Sequence, residues 1–141
     1  MKKILIFGSG NHAKVILSEI LDLKKYSVLG FIDDYKTKNK LILTYNKKKF
    51  FNLGKIKDFK KKNLKNILGV VAIGDINFRK KIVKQVEINL PSIKWATIIS
   101  KNAIVKKNTY IGPGSMIISN TVINVGTKIG KHCLINTSST I

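Results

Sequence analysis

The sequence predicts an α/β N-terminal Rossmann-like domain with a parallel sheet over residues 1–97, followed by the first coils of a left-handed parallel β-helix over residues 98–141. Three observations carry this expectation. Short apolar runs alternate with helix-period segments as far as Thr97, the pattern of parallel strands with helices packed on them. The first run passes through Gly8-Ser9-Gly10 directly into a helix. From Ile99 onward a branched aliphatic residue returns every six positions.

Lys2 to Phe7 is a short apolar run closed by Gly8 and predicts a buried strand. It resembles a signal peptide only superficially: the apolar run of four residues is too short, and no small-residue cleavage site follows. Ala13, Val15, Ile16, Leu17, Ile20, Leu21 and Leu23 recur at helical spacing, which predicts a helix from Asn11 to about Leu23. Val28 to Ile32 is a second strand, ending at Asp33-Asp34. Tyr35 to about Leu53 is rich in lysine and asparagine without a clean period, and is expected to be a variable loop. Lys55 to Lys62 has room for a short helix, and Ile67 to Ile73 predicts a third strand ending at Gly74-Asp75. Phe78, Ile82, Val83 and Val86 share one side of a helix over Asn77 to Val86, and Ile93 to Thr97 is the last strand.

The tail obeys a different rule. Ile99, Val105, Ile111, Ile117, Ile123, Ile129, Ile135 and Ile141 keep a strict period of six. Four residues after each of the first seven stands a small side chain: Ala103, Thr109, Ser115, Thr121, Thr127, Cys133 and Ser139. Neither an α-helix nor a hairpin has that period. A triangular prism does, with one short strand per face and a turn at each corner. An ordinary β-meander would not keep both registers. The register turns Cys133 inward as a small filler and His132 outward at a turn. Neither has a partner at metal-ligand or nucleophile spacing, so both are expected to be structural.

Twenty-seven Lys and Arg against seven Asp and Glu give a formal charge of +20. Such an excess invites a nucleic-acid reading, but the lysines come in short runs spread along the chain. Arg79 is the one arginine, although arginine is the preferred reader of bases. No nucleic-acid partner is expected. The field would still help capture a polyanionic small substrate. No apolar run approaches the roughly 20 residues of a membrane span. The single cysteine allows no disulfide framework, and a cytoplasmic location is the default expectation.

Two motifs carry chemistry. Gly8-Ser9-Gly10-Asn11-His12-Ala13 joins the first strand to the first helix. Glycines there let backbone approach a ligand, and the following helix start offers free N–H groups and a positive dipole end to a phosphate. His12 sits at that start, where it donates to a phosphate or is simply solvated. Asp33, at the end of the second strand, stands where an acid commonly accepts a ribose hydroxyl. Ala72-Ile73-Gly74-Asp75 ends the third strand beside the first loop, followed by Arg79. Arg79 has two readings, as a phosphate ligand or as a group that caps its own helix face.

At this point the residues resemble a family: the PglD/NeuD-type acetyltransferases, bacterial enzymes that acetylate an amino or hydroxyl group on a nucleotide-linked or sialic-type sugar. The markers are Gly8 to Lys14, Phe31-Ile32-Asp33-Asp34, Ala72 to Asp75 with Arg79, and Leu134-Ile135-Asn136-Thr137-Ser138-Ser139. Asn11 stands where the family usually has glycine, and asparagine tolerates left-handed backbone better than most residues. The resemblance implies that Gly8, Gly10 and His12 face the diphosphate of a UDP-sugar. Asp33 and Asp34 would hold its ribose or uracil, and Gly74 and Asp75 its sugar side. It implies a homotrimer with acetyl-CoA as co-substrate between neighbouring β-helices, no metal, and a histidine as general base. That histidine follows the Asn-Thr-Ser-Ser-x-Ile stretch inside an acid–His–acid triplet. The chain stops at Ile141 with about two coils, so a longer natural product is expected, with the 141 residues alone inactive.

Two other readings compete. A nicotinamide-dependent oxidoreductase would explain the glycine turn and Asp33, but a dinucleotide normally needs two βαβαβ halves and the chain has room for one before the repeat. A non-catalytic nucleotide-sugar-binding module fits the chain as it stands.

Overall fold

A computed structural model describes residues 1–141. The first part holds strands β1 (Lys2–Phe7), β2 (Tyr26–Ile32), β3 (Leu41–Tyr45), β4 (Lys48–Phe51), β5 (Ile67–Val71) and β6 (Lys94–Trp95), with helices α1 (Asn11–Asp22) and α2 (Ile76–Asn89) and a 3-10 turn at Ile56–Phe59. β1, β2, β5 and β6 form one parallel sheet in the order β2-β1-β5-β6. The alternation of strand residues places Ile4 and Ile6 with Ile16, Leu17 and Ile20 of α1 on one face. Leu5 and Phe7 pack with Ile82 and Val86 of α2 on the other. The chain leaves β1 toward β2 on one side and returns to β5 on the other. Between the carboxyl ends of β1 and β5 therefore lies the crevice where open α/β sheets bind ligands.

The expected loop over residues 35–53 is instead an antiparallel hairpin of β3 and β4. Asn46 and Lys47 both take positive φ, 47° and 66°, the requirement of the two-residue turn that matches strand twist. Lysines along the strands hid the period, because β3 and β4 are largely exposed. The hairpin is tied back by Asn52, which is fully buried. Its amide donates to the carbonyls of Asp33, Lys36 and Thr37 and its oxygen accepts from the Asp33 N–H.

The tail is a parallel β-helix built from β7 (Ile98–Ile99), β8 (Ile104–Val105), β9 (Tyr110–Ile111), β10 (Met116–Ile117), β11 (Val122–Ile123), β12 (Lys128–Ile129) and β13 (Leu134–Ile135). Its three faces are β7-β10-β13, β8-β11 and β9-β12, all parallel. Two coils are complete and β13 opens a third, slightly more than the expected two. Ile117, Ile123 and Ile129 fill the interior with Ile99, Val105, Ile111 and Ile135 around them, as the six-residue register requires. The corner residues Asn108, Gly114, Asn120, Gly126, His132 and Ser138 all have positive φ. Four of these six are Gly or Asn, which reach that region most cheaply.

One face of the prism is covered. Its outward residues Ile98 and Met116 are fully buried in the same cluster as α1, and Leu134 packs partly against it. Glu19 of α1, itself buried, accepts from the Ser119 N–H at 3.1 Å and from the Ser119 hydroxyl. The carboxylate is thus doubly satisfied where an unpaired one would be costly. His132 points away from the prism interior, but not to solvent. Its ring meets Trp95 edge-on at 4.6 Å and covers Gly114, where any Cβ would collide with it. The outward register was right; the α/β part fills the space outside.

Candidate functional site

A cavity of about 560 Å³ opens at the carboxyl edge of the sheet, between the β1–α1 turn, the segment after β2 and the β5–α2 turn. Gly8 takes φ +93°, and a Cβ there would meet Ile73 Cγ1 at 2.7 Å, so backbone conformation and packing both demand glycine. Gly10 caps α1 with extended backbone and no side-chain bond. A Cβ on Gly10 would meet nothing within 4 Å. No protein atom forces that glycine; its bareness leaves open space before the first N–H groups of α1, which lack partners within the helix by their position. The left-handed backbone thus falls on Gly8, and Asn11 is simply the first residue of α1, so its expected tolerance of that region is not used.

Asp33 is held rigidly. One carboxylate oxygen accepts from the Ser9 hydroxyl at 2.6 Å and the other from the Tyr35 N–H at 2.8 Å, while the Asp33 N–H donates to Asn52. Ser9 and Asp33 therefore form a polar wall facing the helix start. Opposite, Gly74 lies against His12: a Cβ on Gly74 would sit 3.8 Å from His12 Cβ. Nε2 of His12 is enclosed and has no hydrogen-bond partner.

Burial, with the Arg79 charge adding to it, pushes His12 below the ordinary histidine range. His132 is pushed the same way by burial, with Glu87 opposing and Arg79 and Lys131 assisting. Above the ordinary value of 6.5 both folded and unfolded rings are neutral. Below it the unfolded chain takes up protons first, so stability is complete above about pH 6.5 and falls as pH drops. The melting temperature is expected to decrease from pH 7.5 to 5.5, and to decrease less in the His12→Gln/His132→Gln double variant. A melting temperature that rises over that interval contradicts this account.

Of the residues singled out from the sequence, Gly8, Gly10, His12, Asp33 and Gly74 all line the cavity. Three do not. Asp34 turns away and accepts from the Ile56 N–H at 2.8 Å, capping the 3-10 turn. Asp75 is the N-cap of α2 and accepts from the Phe78 N–H at 2.7 Å. Arg79 follows neither of its two readings. Its buried guanidinium donates to the carbonyls of Ile73 (2.8 Å), Gly74 (3.0 Å) and His132 (3.0 Å). It ties the β5–α2 turn, one wall of the cavity, to a corner of the β-helix. Ser9, Tyr35, Lys36 and Phe78 also line the cavity, and the Tyr35 and Phe78 rings meet edge-on at 5.7 Å across its mouth. Ser9 was visible inside the glycine turn. Tyr35, Lys36 and the buried strut Asn52 carried no sequence signal, because their roles come from pairings across the hairpin.

A second cavity of about 660 Å³ lies between α2 and the Lys131-His132-Cys133 corner, lined also by Lys80, Lys84 and Glu87. It has no glycine turn, and the start of α2 that it touches at Ile76 is already capped by Asp75, so the carboxyl-edge cavity is the better candidate. No three His, Cys, Asp or Glu side chains gather closely enough to hold a metal ion. No helix is long and apolar enough to cross a membrane.

With this geometry in view, the comparisons agree on the fold. The acetyltransferase domain of PglB from Neisseria gonorrhoeae superposes with a TM-score of 0.83 at 22% identity, covering 100% of this chain and 65% of that one. A variant of perosamine N-acetyltransferase from Caulobacter crescentus, solved with CoA and GDP-perosamine, gives 0.82 at 23% identity, covering 98% of this chain and 61% of that one. WeeI from Acinetobacter baumannii gives 0.78 at 22% identity, covering 98% and 62%. The chain thus spans a little under two thirds of the length of these solved proteins. No curated protein sequence matches it. The model of the PglD N-terminal domain matches residues 3–86, more than half of the chain and every wall of the carboxyl-edge cavity. On that match, the chain belongs to the PglD N-terminal domain family.

Proposed function

We propose that this chain is the nucleotide-sugar-binding part of an acetyl-CoA-dependent N- or O-acetyltransferase that acts on a nucleotide-linked or sialic-type sugar in bacterial glycan assembly. One observation carries the reading: a bare glycine turn and helix start face a rigidly held aspartate across a cavity at the sheet's carboxyl edge. The diphosphate lies on the free N–H groups of α1 beside Gly8 and Gly10. His12, which lines the same cavity, donates to it. The Asp33 carboxylate accepts a ribose hydroxyl. The sugar extends past Gly74, where no side chain obstructs it. In support, the perosamine enzyme of the same fold was solved with a nucleotide sugar and CoA.

In the transfer, the sugar nitrogen or oxygen attacks the thioester carbonyl, the base removes its proton, and the CoA thiol leaves. We assign that base to neither histidine of residues 1–141. His12 is committed to phosphate, and both ring nitrogens of His132 are enclosed. The base is instead expected in an acid–His–acid triplet after Ile141. The prism faces that carry Ile104 and Tyr110 outward are exposed, in keeping with a homotrimer holding acetyl-CoA between neighbouring β-helices.

Isothermal titration of the 141-residue chain with UDP- and GDP-sugars tests the reading. Binding is expected without acetyl transfer from acetyl-CoA. Asp33→Asn, which weakens the charge-assisted acceptor, should cost binding about tenfold. Binding of NAD with no response to any nucleotide sugar would falsify the proposal in favour of the oxidoreductase.

A further inference from the structure

The lysine runs, spread out along the chain, are gathered by the fold. Because β1, β2, β5 and β6 are parallel, their starting ends share one edge. Lys2 and Lys3 begin β1, Lys24 and Lys25 precede β2, and Lys94 begins β6. The Lys2 N–H donates to the Lys25 carbonyl at 3.1 Å, so those two runs are in direct contact. Lys60, Lys61, Lys62 and Lys65 lie on the lead into β5. The hairpin turn reaches the same edge: Asn46 and Lys48 line one depression with Lys24 and Asp22. All these lysines are exposed. The acids on the flanking elements are engaged: Asp22 pairs with Lys101, Asp58 accepts from the Lys55 N–H and Glu87 from the Trp95 indole.

We propose that this amino edge is an electrostatic docking face for an anionic lipid surface. The inference is independent of the nucleotide-sugar reading. The face is built of lysines alone, flexible point charges suited to a diffuse layer of headgroup phosphates. A nucleic-acid face would be expected to offer arginine forks or stacking aromatics. The one arginine is buried elsewhere, and Tyr26, Phe50 and Phe59 at this edge are buried beneath Lys25, Lys48 and Lys62. Docking by the amino edge also leaves the carboxyl-edge cavity, at the opposite ends of the same strands, open to solvent.

Vesicle flotation tests this with the intact chain. Vesicles of phosphatidylcholine mixed with phosphatidylglycerol are expected to carry the protein up, and phosphatidylcholine alone is not, with added salt releasing it. The quadruple variant Lys2→Gln, Lys3→Gln, Lys24→Gln, Lys25→Gln should bind at least about tenfold more weakly. The variant Lys80→Gln, Lys81→Gln, Lys106→Gln, Lys107→Gln removes equal charge elsewhere and should lose far less. Equal losses in the two variants, no anionic-vesicle binding, or duplex DNA that binds more tightly and displaces vesicles would each overturn the proposal. An unchanged melting temperature in both variants confirms that folding is not the variable.

Discussion

Gly112→Ala is expected to destabilise the chain by at least about 3 kcal/mol. Gly112 and Gly130 stand at the same corner of successive coils, where the Gly112 N–H donates to the Ile129 carbonyl at 2.9 Å. A Cβ on Gly112 would lie 2.6 Å from the Gly130 carbonyl carbon and 2.7 Å from Lys131 N. Those are backbone atoms of the next coil, and they cannot swing aside as a side-chain tip can. Relief would require separating β9 from β12 or tilting the coil, and either breaks the ladder that stacks the interior isoleucines. Gly130→Ala is the matched control. Its Cβ would meet only Cys133 Sγ at 3.7 Å, an ordinary contact, so a cost below about 1 kcal/mol is expected. Urea denaturation of the two variants checks the contrast, and similar midpoints would show that coil spacing is not set by this glycine.

Arg79→Met is expected to cost about 3 kcal/mol or more and to weaken ligand binding with it. The substitution keeps an apolar stem but leaves the Ile73, Gly74 and His132 carbonyls without their charged donor. Two of those carbonyls belong to the cavity wall and one to the prism, so their loss loosens the turn and the junction together. Arg79→Lys should recover only part, since an ammonium lacks the planar fork that serves three acceptors. Lys80→Met, exposed on the same helix, should be nearly neutral. Calorimetric melting together with nucleotide-sugar titration measures both effects. An Arg79→Met protein that melts like the parent would remove the argument that this residue joins the two parts.

The structure also shows which kinds of information lay on the surface of the sequence. The prism was legible because its rule is local: a strict six-residue register exists only if each aliphatic side chain points inward. The glycine turn and Asp33 were legible because a strand end followed by a helix start has one common geometry. The hairpin was not, since Asn46-Lys47 lacks the glycine that usually marks such a turn, and its strands are too exposed for an apolar alternation. The docked face of the prism was hidden in plain view. Ile98, Met116 and Leu134 stand one coil apart, an eighteen-residue apolar column masked by the louder period of six.

Other roles could not have been read at all. Asp34 and Asp75, like Asp33, follow the end of a strand, yet one caps a 3-10 turn and the other caps α2. Asp33 and Asp34 are successive residues leaving a strand, so their side chains point opposite ways, and only the packing decides which way is toward the cavity. Arg79 finds its third acceptor 53 positions away, and Glu19 meets Ser119 across 100. The sequence by itself determined the two architectures and the bare glycine turn at the sheet's carboxyl edge, because short-range periodicity and backbone freedom decide those. Only the tertiary structure decided which polar side chains line the cavity and which became struts, and that scattered lysines share one edge. Both depend on long-range juxtaposition, which no local pattern encodes.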